Sequence, residues 1–183
     1  MDSRLGKLIP EFSVRVKELC RILKQEDIYL IPISGVRSCS EQAELFSRGR
    51  TTEEMEEQSL YFKEEGYDFL ATIIDNTKPR VELAKRTTNA PGESWHQFGA
   101  ALDFCLYNHG KEVVATEHSE IYHILATAIA MTGLTGGGTP RFKYEEEHVQ
   151  LYATNSPFIH FRTPLLLKNA LERGSSMEEA VQS

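Results

Sequence analysis

The ten residues Ser94-Trp-His-Gln-Phe-Gly-Ala-Ala-Leu-Asp103 set the strongest condition on how this chain can fold. They place an imidazole, His96, and a carboxylate, Asp103, seven residues apart, with Gly99 between them where the backbone must turn or approach another segment closely. Ala100 to Tyr107 reads as a strand nearly apolar on both faces, the pattern of a buried central strand. An aspartate inside such a strand is costly unless a partner holds its charge. Downstream, His148 opens an alternating strand, His148 to Tyr152, that can pair beside the Asp103 strand. Two imidazoles and one carboxylate make three ligands for a zinc ion and leave a fourth position for water. That nitrogen/oxygen set fits catalytic better than structural zinc, where thiolates dominate.

The rest of the chain supplies elements for one core. Pro10 to Gln25 carries apolar residues at approximately helical spacing (Phe12, Val14, Val16, Leu19, Ile22, Leu23), and Ile28 to Ser34 reads as a strand. Pro32 within it is tolerable only at an edge or a bulge. Ser40 is a plausible N-cap for a helix from Glu41 to about Arg48. Residues 52–76 predict one or two helices, and Thr87 to Ser94 is turn chemistry leading the chain to His96. Asn108-His-Gly110 is a turn with a hairpin return over Lys111 to Val114. Ser119 caps a helix ended by Gly133, Gly136-Gly-Gly138 reads as a loop, and Thr163 to Glu172 is a last helix. A length of 183 residues, 40% hydrophobic, suits a single domain over residues 1–174, with a helical insertion at 52–76 and a loose tail at 175–183.

Several polar residues have two readings from the residues alone. Arg37 lies in the strand-to-helix connection, where it is either a solvated cation or a fork for a carboxylate or an oxyanion. Glu145 lies three residues before His148, in the loop entering that strand, and can be a general base for an attacking water or one of three acids in a solvated turn. Cys105 shares a strand face with Asp103 and reads as packing in preference to a thiolate ligand. His109, His118, His123 and His160 lack matching carboxylate spacing or sit in an apolar setting, and read as ordinary histidines. The net charge of -7, with no cluster of Lys and Arg, argues against nucleic acid or an anionic membrane as partner. No apolar run approaches the roughly 20 residues of a membrane span, and no export signal is evident.

Ser94, His96, Gly99, Ala101 and Asp103 fit Ser-x-His-x-x-Gly-x-Ala-x-Asp, and Glu145 with His148 fits Glu-x-x-His. Together these resemble the zinc D-alanyl-D-alanine carboxypeptidase and L-alanyl-D-glutamate endopeptidase family, the LAS-type metallopeptidases. Ser34-Gly-Val-Arg-Ser with Gln42, Gly49-Arg-Thr51, and Thr88-Asn-Ala-Pro-Gly make the likeness greatest to the endopeptidase branch. The resemblance spans about residues 30–152. Two departures stand out: the 52–76 insertion, expected to border the cleft and tune specificity, and Gly137-Gly-Thr-Pro140, where relatives tend to carry Gly-Gly-Asp-Trp.

The resemblance implies an α+β fold, hedgehog-like and D-Ala-D-Ala-peptidase-like. It consists of a small, mainly antiparallel sheet with helices packed on it and one zinc ion in a groove on the sheet. It implies His96, Asp103 and His148 as zinc ligands, Glu145 as catalytic base, Arg37 as a substrate or transition-state contact, and Gln42 and Ser94 as substrate-binding. The implied activity is hydrolysis of an amide bond in a peptidoglycan stem peptide, first as an L-alanyl-D-glutamate endopeptidase and second as a D-Ala-D-Ala carboxypeptidase or dipeptidase. A non-catalytic zinc-containing binding module of the same fold is the rival from another class. The protein is expected to be a monomer acting at the bacterial cell wall, periplasmic or extracellular, as a phage-type lysin or a chain trimmed of its leader.

Overall fold

The computed structural model describes residues 7–113, 119–136, 147–154, 156–161 and 163–173. In chain order the elements are α1 (Pro10–Lys24), β1 (Ile28–Ser34), α2 (Cys39–Phe46), α3 (Thr52–Glu64) and α4 (Asp68–Asp75), then β2 (Ala101–Asn108), β3 (Lys111–Glu112), α5 (Ser119–Met131), β4 (Thr135–Gly136), β5 (His148–Gln150) and α6 (Pro164–Arg173). Short 3-10 turns lie at Trp95–Phe98 and Pro157–Ile159. The chain divides into two compact units, residues 1–36 with 99–153 and residues 37–98 with 154–183.

The first unit is the sheet and two helices. Its strands run in the order β1-β2-β5-β4, all antiparallel, with β3 returning as a hairpin on β2. The expected central strand is therefore β2, flanked on both edges. Alternation along it sends Leu102, Phe104 and Leu106 inward, each fully buried, and Asp103, Cys105 and Tyr107 to the other face. Opposite them on β1, Leu30 pairs with Leu106 and Pro32 with Phe104. Against this inner face α1 contributes Phe12, Val16, Leu19 and Leu23 at steps of four, three and four, while Val14 of the expected stripe falls on the exposed side of the helix. Helix α5 adds Leu125, Ala128 and Ile129. Pro32 occupies an end strand beside a register shift between Pro32 and Ser34, so its missing N–H breaks no interior ladder.

The second unit is helical. Helices α3 and α4 fill the 52–76 stretch and close around an aromatic cluster, in which Tyr67 stacks on Phe158 at 4.9 Å and Phe62 lies 6.2 Å from the same ring. Gly92, at φ +87°, lies so close to Phe158 and Leu70 that no Cβ fits between them. Ring contacts among Trp95, Phe98, Phe161 and His160 anchor the Trp95–Phe98 turn to the segment before α6.

Several boundaries differ from expectation, among them that of β5, which ends at Gln150 and not at Tyr152 because residues 151–154 bend away from the ladder. The N-cap of α2 is Ser38, not Ser40: Ser38 Oγ accepts the Glu41 N–H at 3.1 Å, and Glu41 Oε2 accepts the Ser38 N–H at 2.7 Å. Such a reciprocal box needs its glutamate three residues on, and only Ser38 has one. Gly136 belongs to β4 instead of a loop, paired with Val149. A Cβ on Gly136 would overlap the His148 carbonyl, so this strand position admits only glycine. Gly136→Ala is accordingly expected to destabilise the protein by about 1–3 kcal/mol through forced separation of β4 from β5. Thermal unfolding checks this, and an unchanged midpoint would contradict the close approach.

Candidate metal centre

Asp103 and His148 face each other across the β2–β5 ladder, and the ring Nδ1 lies 2.9 Å from the carboxylate Oδ1. The strand pattern produces this contact: Leu102 and Val149 pair inward, so their neighbours Asp103 and His148 pair on the opposite face. The carboxylate in the middle of a mostly apolar strand thus has its partner. Ring Nε2 of His148 meets Gln150 Oε1 at 3.1 Å, and the Gln150 amide N–H donates to the Tyr152 carbonyl.

His96 sits in the buried Trp95–Phe98 turn, seven residues before Asp103. Among the described residues, His96, Asp103 and His148 each offer a ligand atom, and these atoms all lie within 4.8 Å of one another. Ligands of a tetrahedral zinc ion at about 2.0–2.2 Å stand roughly 3.3 Å apart, against an upper bound of 4.8 Å here. Two nitrogens and one oxygen also suit zinc chemically. These are the three residues singled out in the sequence.

The other expected residues take varied places. The Arg37 N–H donates to the His96 carbonyl at 3.2 Å, tying the strand-to-helix connection to the ligand turn. Gln42 is fully buried, and its amide donates to the Asn89 carbonyl at 2.8 Å. Ser94 is buried too, and its carbonyl accepts the Gln97 N–H at 3.1 Å. Glu145 and the Gly137–Pro140 run lie outside the described residues, as do His118 and the tail at 175–183.

The 87–94 loop, read as turn chemistry, is held from several sides. Arg50, stacked 3.6 Å over the Phe46 ring, donates to the Thr87 carbonyl at 2.9 Å. Gln97 Oε1 accepts the Gly92 N–H at 2.7 Å, and its amide donates to Cys39 Sγ at 2.9 Å. Burial pushes the Cys39 thiol up to about 11, so the sulfur stays protonated and serves as a weak acceptor. Glu93 Oε2 accepts the Ala90 N–H at 2.7 Å. None of Arg50, Gln97 and Gln150 was singled out for a role in the sequence. Gln97 and Gln150 each lie within two residues of a ligand, and that proximity was the available signal.

The remaining histidines have local roles. His160 Nε2 meets Thr154 Oγ1 at 2.7 Å, its ring packs on Trp95, and burial lowers its pKa, as fits a satisfied core histidine. His109 does have a carboxylate, contrary to expectation: Nδ1 lies 2.7 Å from Asp27 Oδ2. Asp27 is far away in sequence, and the β1–β2 pairing brings the two turns together. Cys105 Sγ packs by the Ile31 carbonyl at 3.9 Å and is not one of the three grouped ligands.

The model of the family VanY, D-alanyl-D-alanine carboxypeptidase, matches residues 6–135, a span that includes Arg37, His96 and Asp103. Two solved structures are similar at 20% identity. One is a vancomycin-resistance D,D-pentapeptidase VanY from a VanB-type resistance cassette, a glutamate-to-alanine mutant in complex with Zn(II). The match covers 95% of this chain and 83% of that one, with a TM-score of 0.43. The other is VanYB in complex with D-alanine-D-alanine, covering 96% and 83% with a TM-score of 0.42.

Burial raises the pKa of Glu93 above its ordinary value, outweighing the opposing Ala90 N–H and the Arg50 charge. The folded state therefore holds this proton more tightly than the unfolded chain. Its stabilising contribution is complete below the ordinary glutamate value and is lost as pH rises through the raised one. Glu93→Gln keeps an oxygen for the Ala90 N–H, and is expected to gain stability over the parent as pH rises from about 4 to 7. Unfolding midpoints at both ends test this, and a pH-independent difference would refute it.

Proposed function

The chain belongs to the VanY family of D-alanyl-D-alanine carboxypeptidases, and from that premise we propose that it is a zinc-dependent hydrolase removing the terminal D-alanine from stem peptides of peptidoglycan. The observation that carries the reading is the grouping of His96, Asp103 and His148, with ligand atoms within 4.8 Å, in a chain of this family. Between the two peptidase readings, the family match supports the carboxypeptidase over the L-alanyl-D-glutamate endopeptidase. The 20%-identical structures add no weight to the choice.

His96, Asp103 and His148 would hold the ion. Zinc bound there would supply Lewis-acid polarisation of the scissile carbonyl and a lowered pKa for water. Glu145 takes the proton from the attacking water and returns it to the leaving amine, the work of a general base turned general acid. Arg37 presents a fork whose geometry suits the free carboxylate of a C-terminal D-alanine or the developing oxyanion. Gln42 and Ser94, both buried, act on substrate through the 87–94 loop that they border, and the α3–α4 insertion tunes specificity by buttressing that loop from the side of Leu70 and Phe158. The site of action is the cell wall, where this substrate is found. Among the described residues no helix is long and apolar enough to cross a membrane.

Incubation with a defined pentapeptide stem ending in D-Ala-D-Ala is expected to release free D-alanine, with a chelator stopping the reaction and zinc restoring it. A new amino terminus at D-glutamate would instead establish the endopeptidase, and zinc uptake without any cleavage would favour a binding module. Glu145→Gln is expected to lower kcat by about 10²–10⁴-fold while zinc remains bound. Arg37→Ala should cost about 10²–10³-fold. Retention of full turnover in either variant removes that residue from its role.

A further inference from the structure

We propose that Arg48, Lys78, Arg80 and Arg86 form a docking site for a phosphodiester polyanion of the cell envelope, sharing no residue with the metal centre. The source of that polymer rests on the reading of the protein as a cell-wall peptidase; the site itself is read from the fold.

Along the chain these cations fall into two groups, and the second unit joins them. The Arg80 N–H donates to the Ser47 carbonyl at 3.1 Å, and the Gly49 N–H donates to the Arg80 carbonyl at 2.8 Å. These bonds make a parallel bridge in which Arg48 stands opposite Arg80. The Gly49 backbone also lies against Leu83 and Lys85, too close for a Cβ, so the chain after Arg80 stays on the same segment. Opposed residues of a bridge turn their side chains to one side, which sets two guanidinium groups on neighbouring positions. Like charges opposed in this way are destabilising.

Elsewhere such charges are answered locally: Arg15 pairs with Glu11, Arg21 with Glu18 and Lys85 with Glu54. Among the described residues no carboxylate makes an ion pair with Arg48, Lys78, Arg80 or Arg86. Arg48 Nε is in addition a buried donor with no acceptor, while Lys78, Arg80 and Arg86 are exposed. The 78–86 segment holds four cations against one acid, Glu82, in a chain whose net charge is -7.

These features select the ligand class. Guanidinium groups meet phosphate oxygens with paired N–H donors. Cations spread along a segment suit a chain of anions better than a single ion. The negative charge of the whole chain repels a polyanion, so attraction is confined to a patch within about 8 Å, the screening length at physiological salt. Docking there would hold the protein on the envelope beside its proposed substrate.

Binding of the full chain to a glycerol-phosphate polymer tests this. Affinity should fall with salt at a log–log slope of about -2 to -3, as three or four phosphate contacts require. Lys78→Gln, Arg80→Gln and Arg86→Gln together should weaken binding at least about 10-fold and flatten that slope. Lys17→Gln, Lys24→Gln and Lys111→Gln together remove the same charge from exposed positions of the first unit, and should change affinity by less than about twofold. Equal losses in the two triple variants would reduce the effect to net charge and overturn the site. Tighter binding of duplex DNA, or of phosphatidylglycerol vesicles, than of the glycerol-phosphate polymer would overturn it too. Arg48→Lys keeps the charge and removes the orphaned donor, so a loss of about 3–10-fold is expected, and unchanged affinity would take that donor out of the site. Unfolding midpoints establish that each variant is folded. D-alanine release from a soluble pentapeptide should be unchanged in the first triple variant, and a parallel loss would place its three residues in the peptidase cleft and overturn a separate site. A parent that binds the polymer but releases no D-alanine defeats the functional reading and leaves the polyanion site standing.

Discussion

A carboxylate on the central strand of a small sheet is the constraint from which the rest of this structure follows. Asp103 has apolar neighbours on both sides in sequence, Leu102 and Phe104, both fully buried. Left alone, its charge would oppose the burial that makes β2 the core strand. The β2–β5 register resolves this by setting His148 directly opposite, so the pairing that completes the hydrophobic face also completes the polar one. A slip of one residue would turn Asp103 into the core and lose both.

Polar side chains next to the candidate ligands are held at both ends. Gln150 follows His148 by two, and Gln97 follows His96 by one. Each is buried, and each uses its oxygen and its nitrogen on different partners. A buried amide with both ends engaged has little freedom, and the backbone or ring it holds inherits that rigidity. For a metal centre this matters because ligands already near their places spend less ordering entropy on binding. The aromatic packing of α3 and α4 on Phe158 and Gly92 acts on the 87–94 loop in the same sense, by shape in place of hydrogen bonds.

Much of this was legible in the residues, for specific reasons. The stripe Phe12, Val16, Leu19, Leu23 and the strand Ile28–Ser34 are local patterns whose period declares the element, and α1 and β1 fall where those patterns place them. The candidate ligand set was proposed from the residues because His96, Gly99 and Asp103 lie within one short segment and His148 opens a strand of its own. The Ser38 cap was missed because two serines compete within three residues, and only a hydrogen-bond partner distinguishes them. Gly136 was read as loop because a glycine run signals flexibility in a window, while its actual need, close approach to the His148 carbonyl, comes from a strand distant in sequence. His109 and Asp27 escaped for the same reason, since their turns meet only when β1 pairs with β2.

By itself the sequence determined which residue types were present, which elements their periodicity favours, and which three side chains have the donor atoms for a metal. Those properties are carried by residues near one another along the chain, or by the chemistry of single side chains. Tertiary structure alone decided which nitrogen of His148 faces Asp103, what Gln150 and Gln97 hold, and how the 87–94 loop is fixed. Those are distances and directions between groups brought together by strand register and packing, and no pattern along one dimension encodes an orientation in three.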